Sequence, residues 1–263
     1  MPGSMRLHYR DYGSGEPLVI LHGFLGSLNN WHSLGRTLGE HFNVYAVDAR
    51  NHGGSPHADA FNYTVMASDL REFLAEHGIT RPTVLGHSMG GKTAMEAALS
   101  SPDLFLRLIV VDIAPKPYTG WHDEILEAML ALDIDSTASR DEIENVLAFQ
   151  IPNLAVRQFL LTNLKRDESG RFRWKVNLQV LRKNYEEILR GQSGPGVYRG
   201  PSLFLSGERS NHLTAVDHPA ILRLFPGAVF REIPGAGHWV HAEAPAEFLR
   251  AVLEFTGRVE PRD

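Results

Sequence analysis

The chain has 263 residues, 43% of them apolar and 22% charged, with a formal net charge of −5. That balance excludes a disordered chain, and the lack of a basic excess argues against a nucleic-acid partner. There are no cysteines, which excludes disulfides, zinc–thiolate sites and a cysteine nucleophile and suits a reducing, cytoplasmic compartment.

No apolar run reaches the length of a membrane span, and Met1 to Ser4 do not open a signal peptide, since no apolar core follows. Four short apolar runs come first: Leu18 to Leu21, Val44 to Val47, Thr83 to Leu85 and Leu108 to Val111. Each is bounded by polar residues or Gly, as expected of strands buried on both faces. Between them, Val65, Met66, Leu70, Phe73 and Leu74 keep helical spacing. Strands alternating with helices predict a parallel sheet covered on both sides.

The pattern changes near Ala114. From about Lys116 to Arg199 the signals are helical, with almost no strand signal. One stripe holds Ile125, Leu126, Met129 and Leu130. Ser139 with Glu142 forms a capping box before Ile143, Val146 and Leu147. Phe159, Leu160 and Leu164 make a third stripe, and Leu178, Leu181, Tyr185 and Ile188 a fourth. A turn at Glu168-Ser169-Gly170 precedes the alternation Phe172, Trp174, Val176. Strand patterns resume at Ser202 to Ser206 and Val229 to Ile233, and a last helix covers Phe248 to Phe255. The expected organisation is one α/β domain, residues 1–115 and 200–263, carrying a helical insertion at 116–199.

The sharpest local signal is Gly86-His87-Ser88-Met89-Gly90-Gly91, between a predicted strand and a predicted helix. Alone, Gly-x-Ser-x-Gly arises by chance in roughly one chain in ten of this size. Between strand and helix it reads as a nucleophile elbow, where side chains at Gly86 and Gly90 would collide with neighbours and Ser88 is held out with its hydroxyl available. A serine needs an adjacent base. Among 13 histidines, His238 in Pro234-Gly235-Ala236-Gly237-His238 follows the last predicted strand, where this architecture places its histidine. His241 is the weaker candidate. An oxyanion hole needs two backbone N–H groups. Met89 follows the nucleophile, and Phe24 ends the turn His22-Gly23-Phe24 after the first strong strand. Leu25 and Trp239 flank these groups and are expected to line the substrate pocket. Arg50 to Ser55 reads as a loop shaped by buried hydrogen bonds, not a phosphate cradle.

Together His22-Gly23, Gly86 to Gly90 and Gly237-His238 resemble the α/β-hydrolase fold superfamily over almost the whole chain. Asp48-Ala49-Arg50-Asn51-His52-Gly53, Phe172 to Leu178 and Gly235 to Trp239 are most similar to the YbfF-type serine esterases and their mitochondrial relatives. The resemblance implies a mostly parallel eight-stranded sheet flanked by helices, with a helical cap at 116–199. It also implies hydrolysis of small-molecule carboxylic esters, of short to medium acyl chain or thioesters, without cofactor or metal.

One position departs from the superfamily. Its triad acid usually stands three residues after a Gly ending the seventh strand, and here that position is Ser210, which carries no charge. Asp112, ending the run Leu108 to Val111, is the better candidate, since open α/β folds place their sites at the carboxyl ends of strands. Glu208 and Asp217 are the alternatives. Resemblance to the YbfF-type group implies the relocation to Asp112, and Ser210 becomes a fourth member, hydrogen-bonding Asp112 or His238. Perhydrolases, C–C bond hydrolases and a non-catalytic ligand receptor of the same fold are the competing functions.

Overall fold

A computed structural model describes residues 5–120, 122–136, 139–192 and 194–259; the expectation for Met1 to Ser4 lies outside them. The strands are β1 (Tyr9–Gly13), β2 (Pro17–Leu21), β3 (Asn43–Val47), β4 (Thr83–His87), β5 (Arg107–Val111), β6 (Leu164–Arg166), β7 (Phe172–Trp174), β8 (Ser202–Gly207) and β9 (Ala228–Ile233). The main sheet runs β1-β3-β2-β4-β5-β8-β9. Only β1 is antiparallel, pairing Tyr9 with Val47 and Gly13 with Asn43; all other pairs are parallel. β2, β4 and β5 are almost wholly buried, which is why continuous apolar runs marked them.

The sheet has seven strands among the described residues, not the eight expected. The segment before β1 adds no strand because it is tied elsewhere. The His8 amide donates to Ser55 Oγ at 2.8 Å, its carbonyl accepts from the Asp48 amide at 2.8 Å, and Leu7 is buried in the core. These contacts hold it to the loop after β3.

Helices α1 (His32–Leu38), α2 (Tyr63–Glu76) and α3 (Met89–Ser100) accompany the first strands. Between β5 and β8 lie α4 (Asp123–Ala131), α5 (Arg140–Ala148), α6 (Leu154–Leu161), the β6–β7 hairpin, α7 (Leu178–Lys183) and α8 (Tyr185–Leu189). The hairpin turns at Asp167 to Gly170, where Gly170 has φ 80°; the turn and the alternation at Phe172 and Trp174 were expected, whereas its first strand, Leu164–Arg166, stood within a helical stripe. The Ser139–Glu142 capping box is formed as expected. Then come α9 (His218–Leu224), α10 (Val240–Glu243) and α11 (Pro245–Phe255).

Each sheet face is covered. Leu70, Phe73 and Leu74 of α2, the alanines of α3 and Ile221 of α9 pack on one side. Trp31, Leu34, Leu38, Phe248 and Val252 pack on the other. A third cluster joins the 122–189 helices to Phe24, Leu25, Phe61, Tyr63, Met66 and Met89. That places this region over the carboxyl ends of β2 and β4. Its incoming and outgoing chains run side by side, the Tyr118 amide donating to the Leu189 carbonyl at 2.8 Å. Lys92 of α3, fully buried, donates from Nζ to the carbonyls of Lys116 (2.9 Å) and Arg190. Burial lowers the Lys92 ammonium to about 7.

Candidate active site

Ser88 lies between β4 and α3 with φ 51° and ψ −114°, a conformation that L-residues adopt only under surrounding constraint. The constraint is visible at the flanking glycines. A Cβ on Gly86 would stand 2.3 Å from the Gly90 carbonyl oxygen, and one on Gly90 would stand 2.3 Å from that of Leu21. The turn can be this tight only with Gly at both places. Gly23 answers to the same crowding, since a Cβ there would meet His87 Nδ1 at 2.7 Å.

Asp112 ends β5, also at positive φ, 52°, and is completely buried. Its Oδ2 accepts from His238 Nδ1 at 2.7 Å and from Ser210 Oγ at 2.5 Å, and its Oδ1 accepts from the Gly207 amide at 3.1 Å. Three donors thus converge on one buried carboxyl group. A carboxylate only accepts, so His238 carries its proton on Nδ1 and presents the Nε2 lone pair. Ser210 Oγ in turn lies 3.0 Å from His212 Nδ1. Having given its proton to Asp112, the hydroxyl accepts from that nitrogen. Glu208 and Asp217 are occupied elsewhere: Glu208 receives the Gly235 amide at 2.6 Å, and Asp217 pairs with Lys116 Nζ at 2.7 Å.

His212 stacks on His238 with centroids 3.8 Å apart and 23° between planes. Asp112, His212 and His238 have ligand atoms within 4.8 Å of one another. Ring lone pairs lie in the ring plane, so two stacked imidazoles point side by side and do not converge on a cation as metal ligands do. Burial and the neighbouring His238 lower His212 to about 2.

Further histidines fix the surroundings. His87 Nε2 donates to the His238 carbonyl at 2.9 Å, and burial first, then His238 and His241, push it well below the usual range. His22 Nε2 accepts from the Ala49 amide at 3.0 Å while its Nδ1 donates to the Gly23 carbonyl at 2.8 Å. His52 accepts the Leu25 amide at 3.3 Å. Leu25 has φ 58°, and its carbonyl accepts from Asn163 Nδ2 at 2.6 Å. The loop carrying Phe24 is thereby held from both sides. Among the described residues neither the Phe24 nor the Met89 amide meets a protein acceptor, as a pair of oxyanion donors requires. Arg50 binds Asp69 through two bonds of 2.6 Å, so the Arg50 to Ser55 loop is the hydrogen-bonded shape expected.

Ser88, His238, Phe24, Leu25 and Trp239 line one cavity of about 440 Å³, whose other walls include Trp31, Ile125, Val156, Phe159 and Leu160. Met89 contributes its side chain to the core. A second void of about 30 Å³ adjoins Ser88 and is bounded by Met89, Lys92, Tyr118 and Tyr185. The larger volume lies in the usual range for small-molecule sites. A serine hydroxyl at a strained turn, an imidazole oriented by a carboxylate and two unpaired amides are the parts of acyl transfer through a covalent intermediate.

The comparisons agree with that chemistry. A family model for the alpha/beta hydrolase fold matches residues 16–143. The sn-1-specific diacylglycerol lipase ABHD11 of Danio rerio is 41% identical over 251 residues, covering 92% of this chain and 79% of that protein. Esterase YbfF of Escherichia coli is 36% identical over 241 residues, covering 91% of this chain and 92% of its own. A solved marine microorganism esterase superposes with a TM-score of 0.94 at 44% identity, covering 96% of this chain and all of that one. Fold, site geometry and relatives converge: the chain belongs to the α/β-hydrolase fold family, among its ester-cleaving hydrolases.

Proposed function

We propose that this chain is a serine carboxylesterase acting through Ser88, His238 and Asp112. The carrying observation is the His238 Nδ1–Asp112 Oδ2 bond of 2.7 Å beside a cavity that also exposes Ser88. Ser88 Oγ attacks the ester carbonyl while His238 Nε2 takes its proton. The tetrahedral oxyanion rests on the amides of Phe24 and Met89. As the C–O bond breaks, His238 gives the proton to the departing alkoxide. Water, deprotonated by the same nitrogen, then frees the acid from Ser88. Asp112 holds the imidazole in the required tautomer and stabilises its cation. Ser210 serves as the fourth member, donating to the carboxylate.

Residues 116–199 act as the cap, with 1–115 and 200–263 as the catalytic core. The apolar walls supplied by Ile125, Val156, Phe159 and Leu160 favour an acyl chain of short to medium length, as oxygen ester or thioester. Names of relatives extend the class to acylglycerols. Among the described residues no helix is long and apolar enough to cross a membrane, and the cysteine-free chain fits a cytoplasmic setting. A fluorophosphonate should label Ser88 stoichiometrically, and a screen of p-nitrophenyl esters and acyl-CoA thioesters should identify the favoured acyl group. Labelling at any other serine, or no turnover across the screen, would refute the reading.

A further inference from the structure

The two cavities beside the nucleophile share three residues among those described: Phe24, Ser88 and His122. The larger is about 440 Å³ and the smaller about 30 Å³, the latter room for one or two water-sized groups. An ester lying with one arm in each must pass its scissile group among these three side chains. Phe24 and Ser88 already have parts to play under the esterase reading. His122 has none, although it precedes α4 in the cap and faces the core there.

The His122 ring meets the Phe24 ring edge-on at 5.2 Å. Its orientation is fixed by Tyr185 of α8. Tyr185 Oη accepts the His122 backbone N–H at 2.9 Å and lies 3.1 Å from His122 Nδ1. A phenol has one proton to give. Given to Nδ1, it leaves the imidazole's own proton on Nε2. Burial first, and then His238, lower His122 to about 3, so it stays a neutral donor at working pH. His122 and His238 also line the same larger cavity, so His122 shares it with the group that delivers the leaving-group proton.

We propose that His122 is a further catalytic residue, whose Nε2–H donates a hydrogen bond to the alkoxy oxygen of the scissile ester. The proposal rests on the esterase reading. In the step it serves, the carbonyl carbon–alkoxy bond breaks and its electron pair stays on oxygen. His238 supplies the proton taken from Ser88. His122 forms no bond and changes no charge; it steadies the negative charge on that oxygen until the proton arrives. Tyr185 is the positioning residue that sets its tautomer.

The distinguishing readout is the dependence of kcat/KM, which reports acylation, on the leaving group. His122→Phe should lower kcat/KM for ethyl butyrate by on the order of a hundredfold, in the range for loss of one catalytic donor. For p-nitrophenyl butyrate, whose leaving group needs little stabilisation, the loss should stay below about threefold by the same reasoning. His122→Gln, which restores an N–H at a similar reach, should recover at least about tenfold on the ethyl ester. Tyr185→Phe should show a weaker form of the same selectivity. Equal losses on both esters, or an unchanged ethyl ester rate, would overturn the proposal while leaving the esterase reading in place. A wild-type protein that cleaves neither ester would remove both.

Discussion

The two walls of the main cavity are built differently. On the core side, Leu25 and Ser88 have positive φ, as do Asp112 behind the wall and Asn51 in the adjoining loop. Each is held by specific hydrogen bonds or by crowding against glycine. On the side supplied by 116–199, the only positive-φ residue among those described is Gly170, in the hairpin turn. Here the wall is made of ordinary helices, with Ile125, Val156 and Phe159 presenting apolar side chains. Strained backbone survives only where the surroundings over-determine it, so the core wall tolerates little change. A helix face tolerates volume-conserving exchange. Under the proposed function, chemistry falls to the rigid wall and selection to the replaceable one.

Ser88→Ala gives the hardest test of that division. It should lower kcat by about 10⁶, as removal of a triad nucleophile does, with the thermal transition unchanged; activity within tenfold of wild type would break the assignment. Next, Asp112→Asn should lower kcat by about 10³ to 10⁴, because an amide favours the wrong imidazole tautomer. Adding Ser210→Asp to that variant should recover at least tenfold, since Ser210 Oγ and His238 Nδ1 meet at the same Asp112 oxygen and a carboxylate at 210 lies close to the imidazole. If Asp112→Asn is near-native while Glu208→Gln is inactive, the acid lies after β8.

The walls should also differ in their response to acid. Buried histidines gather on the core side: burial lowers His22 and His87, holds His52 and His241 at about 3, and His212 falls to about 2. Unfolded, each titrates near 6.5. Between there and about 3 the unfolded chain binds protons that the folded chain refuses. Stability therefore falls as pH falls, by up to about 1.4 kcal/mol per pH unit for each histidine. Urea melts between pH 7 and 4.5 should lose stability steeply, and replacing His241 by Phe should flatten the slope. A slope that ignores that substitution would separate these rings from the acid response. The smallest effect belongs to the helical wall. Phe159→Ala should lower kcat/KM for octanoate by about tenfold relative to acetate, from the apolar area lost. Equal effects on both would mean that α6 does not touch the acyl chain.

How much of this the sequence revealed depends on how local each signal is. The elbow was legible because Gly86, Ser88 and Gly90 answer to one tight turn. The interior strands were legible because both faces are buried. β1 was not, since Arg10 and Asp11 interrupt any apolar run and most of the strand is exposed at the sheet edge. In the β6–β7 hairpin the turn and the alternation of β7 were legible, but β6, three residues long, was too short to show a period of its own. Asp112 could be reached only by noticing that Ser210 stands where a charge was expected. His87 and His122 escaped because their roles depend on partners far along the chain, the His238 carbonyl 151 residues from His87 and Tyr185 63 residues from His122. Nothing in their immediate sequence carries that information.

The paired stems at Tyr118 and Leu189, pinned by the single Lys92 ammonium, make the segment between them a closed loop as far as the sheet is concerned. The chain leaves β5 and returns toward β8 through almost the same point. For such a loop the entropic penalty grows only logarithmically, about 0.6 kcal/mol for each doubling of length. Whole helices can then be gained or lost between the stems while the register of β5 on β8 is preserved. Hydrogen exchange at β5 and β8 amides in variants with altered cap length would measure that independence directly. A scaffold with this property lets one parallel sheet carry many different insertions.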